Sequence, residues 1–292
     1  MRRLETADGR EVAFEEVGAP DGFPVFMLHG TPGCRLSGRH PHLDRVREAG
    51  LRLVTYDRPG YGRSTRHRGR AIVDCVGDVE AIADELGIER FAVRGGSGGG
   101  PHALAVGARL PERVTGVQCD VSPAPFDVEG LDWTAGMDPV NVEEISWALE
   151  GEEKLAAEIE REVRQILERV EEDPAAVVAD VDLSDSDRAV LADPGLREVL
   201  KASTRESFAQ GVWGWVDDDF TVINPWGFDV AELRVPVEIR YGATDVLVPP
   251  SHGEWLAAHI PHATVVVDES GGHLSSPDAH LERLRALAAA AA

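Results

Sequence analysis

The stretch "RGGSGGG" at residues 94–100 sets five glycines around one serine hydroxyl, that of Ser97. Glycine inside a strand or helix is unfavourable by about 0.5–1 kcal/mol relative to alanine, so this crowding needs a local reason. The flanking residues supply one. "FAVR" before it reads as a buried strand and "GPHALAVGARL" after it as a helix with Pro101 in its first turn, where a missing N–H does no harm. A sharp strand-to-helix corner strains the residue at its apex and brings the two backbones together, so small residues are required two before and two after it. Gly95 and Gly99 complete that G-x-S-x-G pattern. The corner lifts the hydroxyl clear of the sheet and aims free helix N–H groups at negative charge forming beside it. A dinucleotide or phosphate loop also joins a strand to a helix, but the G-x-G-x-x-G spacing and the Walker lysine are both missing from this stretch.

A serine hydroxyl becomes a nucleophile only when a base takes its proton and a third group fixes the tautomer of that base. His273, in "ESGGHLS", is flanked by Gly271 and Gly272 on a loop that follows the last strand-like run. Asp245, in "YGATDVLVPP", follows the end of the preceding strand. Asp120, ending the strand after the Ser97 helix, and Asp268, near His273 in sequence, are rival acids. His29 and His102 read as structural neighbours of the site, and His252 as a helix-capping or solvent residue.

These residues need a scaffold that brings strand ends together. Over the first 122 residues, the continuous apolar runs "PVFML", "LRLVTY", "RFAVR" and "VTGVQCDV" alternate with helical stretches such as "HLDRVREAG" and "IVDCVGDVEAIADELGI". That alternation predicts a mostly parallel sheet, buried on both faces and joined by crossover helices. "EVAFEEV" follows the turn "ADGR" and is expected to pair with the N-terminus as a hairpin. From about Pro123 the pattern becomes helical: Leu155, Ile159, Val163, Ile166, Leu167 and Val170 make one stripe, and Leu196, Leu200, Phe208, Val212 and Trp215 a second. Strand-like runs return at 235–241 and 263–267, each followed by a helix, the last Ala-rich at its end. The expected organisation is therefore an α/β core from 1–124 and 231–292 with a helical cap inserted at 125–230.

The chain has 292 residues, enough for a full-sized core, and a net charge of −23, which argues against nucleic acid or an anionic membrane as a partner. Residues 127–229 hold 27 of the 52 acids and 8 of the 29 basic residues, so the charge resides in the helical stretch. Most of it reads as a solvated face, with attraction of amine-bearing substrates as the sharper possibility. No run approaches the roughly 18 apolar residues of a membrane span, and the N-terminus lacks an apolar targeting segment, so a cytoplasmic chain is expected. Cys34, Cys75 and Cys119 are widely spaced, without a C-x-x-C pair, and read as reduced buried thiols.

Taken together, these motifs make the sequence resemble the α/β-hydrolase fold superfamily over nearly its whole length. "LHGTPG" at 28–33 is similar to the His-Gly loop after the third strand, and "DRPGYGRS" at 57–64 to the turn after the fourth. The resemblance implies a Ser97–His273–Asp245 triad, since "GATD" with a nearby proline matches the acid loop of the family. It also implies an oxyanion hole from the N–H groups of Thr31 and Gly98. A serine hydrolase acting on a small carboxylic ester or related acyl compound follows, with a small-molecule substrate and no metal or organic cofactor. Other uses of the scaffold are an aminopeptidase or amidase, a C–C hydrolase, a lyase, or a small-molecule receptor. Aminopeptidases of this fold hold a free α-amine with cap carboxylates. The sequence departs from them where Thr31 replaces a glycine of their H-G-G-P-G and "SGG" replaces their tryptophan-containing elbow. The cap aromatics Trp213, Trp215, Trp226 and Phe228 either line a pocket or pack the cap core, with Trp213 and Trp226 foremost as pocket wall.

Overall fold

The computed structural model describes residues 1–290. Eight strands form one sheet: β1 (Arg2–Glu5), β2 (Glu11–Gly18), β3 (Phe23–Leu28), β4 (Leu51–Tyr56), β5 (Phe91–Gly96), β6 (Val114–Asp120), β7 (Val237–Gly242) and β8 (Thr264–Asp268). Their order across the sheet is β1-β2-β4-β3-β5-β6-β7-β8. The β1–β2 and β2–β4 pairs are antiparallel and the other pairs parallel, as the apolar runs and the N-terminal hairpin predict.

Alternation along the central strands decides which helices cover which face. Val25 and Met27 of β3 and Leu51 and Leu53 of β4 pack with Leu281 and Leu284 of α10 (Pro277–Ala289) and with Val46 of α1 (Leu43–Glu48). Phe26, Leu28, Val54 and Tyr56 point the other way, into a cluster with residues of α2 (Cys75–Glu85) and α3 (Gly99–Arg109). Strands apolar at both parities are what a two-sided cover requires. The remaining core helix, α9 (Pro250–His259), lies between β7 and β8. All three cysteines are free and buried.

Between β6 and β7 run five helices: α4 (Pro139–Glu150), α5 (Glu152–Arg169), α6 (Asp185–Leu191), α7 (Pro194–Ser207) and α8 (Trp213–Ile223). Their own apolar cluster joins Trp147 of α4, Leu155, Ile159, Val163 and Ile166 of α5, and Trp215 and Val216 of α8. Helix starts follow the local chemistry. The Asp138 carboxylate accepts from the Val140 amide before Pro139, and Asp193 accepts from Leu196 before Pro194, in both cases with proline inside the first turn. The second apolar stripe, read as continuous, is divided. Gly211 adopts φ 100° between α7 and α8, a conformation that ends one helix and turns the next. No helix among the described residues is long and apolar enough to cross a membrane.

Candidate active site

Ser97 stands at the corner between β5 and α3 with φ 52°, a left-handed conformation that few non-glycine residues adopt. Its amide donates to the Asp120 carbonyl at 3.0 Å, and its carbonyl accepts from Gly100 at 2.9 Å, which locks the turn from both sides. The glycines have separate reasons. A Cβ on Gly95 would overlap the Gly99 carbonyl, and one on Gly99 would overlap the Leu28 carbonyl at the end of β3. Gly98 lies against the Thr31 side chain and Gly100 against Ser122, whereas the nearest atom to a Cβ on Gly96 is 3.8 Å away. Four of the five glycines are thus required by close approach.

Across the strand ends, the His273 Nδ1–H donates to Asp245 Oδ2 at 2.8 Å. Asp245 is buried, and its Oδ1 accepts from the Leu247 and Val248 amides at 2.9 and 3.0 Å, which fixes the carboxylate. Burial alone depresses the His273 imidazolium, but the Asp245 carboxylate outweighs it and the net position is above the ordinary histidine value. The rival acids are engaged elsewhere. Asp120 pairs with Arg94 at 2.9 Å and with Arg283 at 3.4 Å; burial opposes its ionisation, yet the arginines hold it below the usual carboxylate range. Asp268 accepts from Arg240 at 3.0 Å.

The His-Gly loop after β3 passes directly over the serine: a Cβ on Gly30 would lie 3.3 Å from Ser97 Cβ. Neither the Thr31 nor the Gly98 amide has a hydrogen-bond partner among the described residues, and the Thr31 nitrogen lies 3.3 Å from a Cβ built on Gly98. His29 and His102 are neighbours with fixed structural partners. His29 Nδ1 donates to the Gly30 carbonyl at 2.8 Å, His102 Nδ1 lies 2.9 Å from the Gly98 carbonyl, and burial, then Arg58, keeps both neutral, His102 at about 3. His252 is neither solvated nor a helix cap. It is fully buried, accepting from the Ala124 amide at 3.1 Å and donating to the Trp133 carbonyl at 2.8 Å.

Ser97, His273, Thr31 and Gly98 open onto one cavity of about 480 Å³ under α4–α8. Trp213 and Trp226 are not part of its wall. Trp226 is buried in the core cluster against Phe228, and the Trp213 ring is covered by the Arg66 guanidinium at 3.9 Å. Trp133 and Trp215 line the cavity instead. The wall of the same cavity includes three acids from three helices: Glu144 of α4, Glu162 of α5 and Asp219 of α8. Glu144 accepts from Trp215 Nε1 at 2.6 Å, while Asp219 Oδ2 is buried without a partner. Burial, and then the neighbouring Glu144 carboxylate, pushes Glu162 up to about 7 and Asp219 well above the ordinary aspartate value. Sequence reading missed this trio; its one visible trace is the run Asp217–Asp218–Asp219 set between apolar residues. Val121, which also lines the cavity, has φ 44°, a strained value for a β-branched residue.

The family model described as "alpha/beta hydrolase fold" matches residues 24–279. The chain is similar to a proline iminopeptidase of Xanthomonas citri, 39% identical over 109 residues, or 36% of this chain and 34% of the relative. It is similar to another from Arabidopsis thaliana, 36% identical over 118 residues, or 39% of this chain and 30% of the relative. The match thus spans about a third of the length of these curated relatives. Among solved structures, a hydrolase from Pseudomonas aeruginosa PA01 superposes with TM-score 0.71 at 21% identity, covering 98% of this chain and 97% of the other. A thermophilic esterase from Thermogutta terrifontis gives 0.69 at 20%, covering 100% and 99%, and an enol-lactonase from Burkholderia xenovorans LB400 gives 0.65 at 20%, covering 98% and 99%. At these identities the structural likeness establishes the fold.

Proposed function

The chain belongs to the α/β-hydrolase fold family, and on that premise we propose that it is a serine hydrolase cleaving an ester or related acyl bond through an acyl-enzyme on Ser97. The observation that carries the reading is the 2.8 Å contact of His273 with the buried Asp245, with His273 and the strained Ser97 lining one cavity. In the reaction, His273 Nε2 takes the Ser97 proton as Oγ bonds to the acyl carbon, while His273 keeps its Nδ1 proton, donated to the Asp245 carboxylate, which balances the imidazolium charge. The carbonyl oxygen becomes an oxyanion facing the Thr31 and Gly98 amides, each donor worth about 3–4 kcal/mol in comparable sites. Collapse breaks the bond to the leaving group, which receives the proton from His273. Water, deprotonated by the same imidazole, then bonds to the acyl carbon, and His273 returns the proton to Ser97 Oγ as the acyl–serine bond breaks and the acid leaves.

A pre-steady-state burst tests this. With p-nitrophenyl butyrate, the account expects nitrophenolate release matching the enzyme concentration before a slower steady state, and its disappearance in Ser97→Ala. A burst that survives in Ser97→Ala overturns the assignment.

A second reading narrows the substrate to an acyl compound bearing a protonated amine, as in an aminopeptidase. It is favoured by Glu144, Glu162 and Asp219 in the cavity wall and by the similarity to proline iminopeptidases. Three carboxylates sharing one cavity wall are costly to ionise together unless a cation joins them. The test compares proline β-naphthylamide with its N-acetyl form. The reading expects kcat/KM at least about tenfold higher for the free amine, with the preference lost in Asp219→Asn; equal rates for the two compounds contradict it.

A further inference from the structure

We propose that Asp218, on α8, is a positioning residue that holds the 29–31 loop so that the Thr31 amide faces the Ser97 hydroxyl. The inference rests on the serine-hydrolase reading above and concerns what builds its oxyanion site. Asp218 is 1% exposed in the middle of α8. Its Oδ2 accepts from Thr31 Oγ1 at 2.6 Å, from the Tyr61 hydroxyl at 2.9 Å and from Arg58 Nη2 at 2.5 Å, and its Oδ1 accepts from Arg70 Nη2 at 2.6 Å and Arg58 Nε at 3.2 Å. Five hydrogen bonds on one buried carboxylate exceed what neutralising a single arginine requires.

The pattern of donors shows what the carboxylate organises. Arg58, itself fully buried and paired to Asp218, donates to the carbonyl oxygens of His29 and Gly30, to the latter at 3.0 Å. Its backbone amide donates to His29 Nε2 at 3.2 Å. Every residue from 29 to 31 is therefore tied to Arg58 or Asp218 through an acceptor or a hydroxyl, and the Thr31 N–H is left without a partner among the described residues. A pair this deeply buried is weak evidence for stability, since desolvation offsets most of its attraction; fixing one loop geometry is the use such groups serve best. The arrangement also spans two parts of the chain: α8 lies between β6 and β7, whereas the loop follows β3.

Removing Asp218 leaves two buried guanidinium groups without their carboxylate, so Asp218→Asn alone can fail through folding. Thr31→Val is the cleaner probe: it keeps the shape and the backbone N–H and deletes the tie to Oδ2. Thr31→Ser restores it. The measured quantity is phosphonylation by a fluorophosphonate, whose phosphoryl oxygen occupies the oxyanion position, resolved into the maximal rate and the half-saturating concentration, with folding followed by thermal melting. Expected is a fall of about tenfold or more in maximal rate for Thr31→Val, at a half-saturating concentration changed by less than about twofold. Thr31→Ser is expected near wild type. Asp218→Asn combined with Thr31→Val should react no more slowly than the slower single variant, because both cut one tie. A wild-type maximal rate in Thr31→Val, equal losses in the valine and serine variants, or multiplying losses in the double variant each overturn the proposal. Failure of the wild type itself to react overturns the serine-hydrolase reading along with it, so the two failures are distinguishable.

Discussion

In the proposed reaction His273 must be neutral to accept the Ser97 proton, and its contact with Asp245 raises the imidazolium above the ordinary histidine value after burial has lowered it. A base with a raised pKa is silenced by protonation at low pH. The account therefore predicts that kcat/KM on a neutral ester rises through an apparent pKa above about 6.5 and is flat at higher pH. Asp245→Asn, which forces the wrong tautomer, should lower kcat by about 10⁴, whereas a pH profile and rate unchanged by Asp245→Asn would remove that residue from the site. Motif residues of this kind are readable in a sequence because their chemistry is local: a serine between glycines two positions away is already a corner. The acids were not readable, because a helix sends neighbouring residues about 100° apart. In the run 217–219, Asp217 reaches Arg66, Asp218 reaches Arg58 and Arg70, and Asp219 enters the cavity. Tryptophans are equally silent, since a pocket wall and a cap core share the same residue type.

Elements place these residues, and here the sequence was informative about strands and less so about helix ends. The parallel pairing of β3 to β7 follows from apolar runs buried on both faces, whereas the edge strand β8 leaves Val265, Val266 and Val267 exposed. The division between α7 and α8 was not visible, because Leu200, Phe208, Val212 and Trp215 continue an apolar spacing across a turn. What the spacing could not show is the φ of 100° at Gly211. No heavy atom lies within 4 Å of a Cβ built there, so Gly211→Ala tests the backbone alone. It should lower the unfolding free energy by about 1–2 kcal/mol in urea titration with the slope unchanged, and no loss would mean that this junction relaxes without strain. A second helical element also reaches the site. Asp187 of α6 accepts from the Leu274 amide at 2.6 Å, and Ser186 Oγ accepts from Gly272 at 2.9 Å, so the α6 start holds both sides of His273.

At the scale of the whole molecule, the charge of −23 has two components that respond oppositely to pH. Glu162 is raised to about 7 by burial and by Glu144, and Asp219 is raised well above its ordinary value, so the folded state binds these protons more tightly than the unfolded chain does. Their ionisation opposes folding, and stability is gained as pH falls through the window from about 7 to about 4.5. Asp218 and Asp120 are held low by their arginines, so their contribution is present above the ordinary carboxylate value and lost only in stronger acid. Scanning calorimetry should therefore show Glu162→Gln raising Tm over wild type at about pH 8, with that gain shrinking as the buffer is lowered to about pH 5. A Glu162→Gln change in Tm that is the same at about pH 8 and about pH 5 contradicts the buried acid trio.

The central claim is that Ser97 is an activated nucleophile, and intact-mass analysis of the purified protein after treatment with a fluorophosphonate tests it most directly. The account predicts one adduct per chain, mapped to the peptide containing Ser97, absent in Ser97→Ala and formed far more slowly in His273→Ala. An unlabelled wild type, or an adduct that persists in Ser97→Ala, contradicts it.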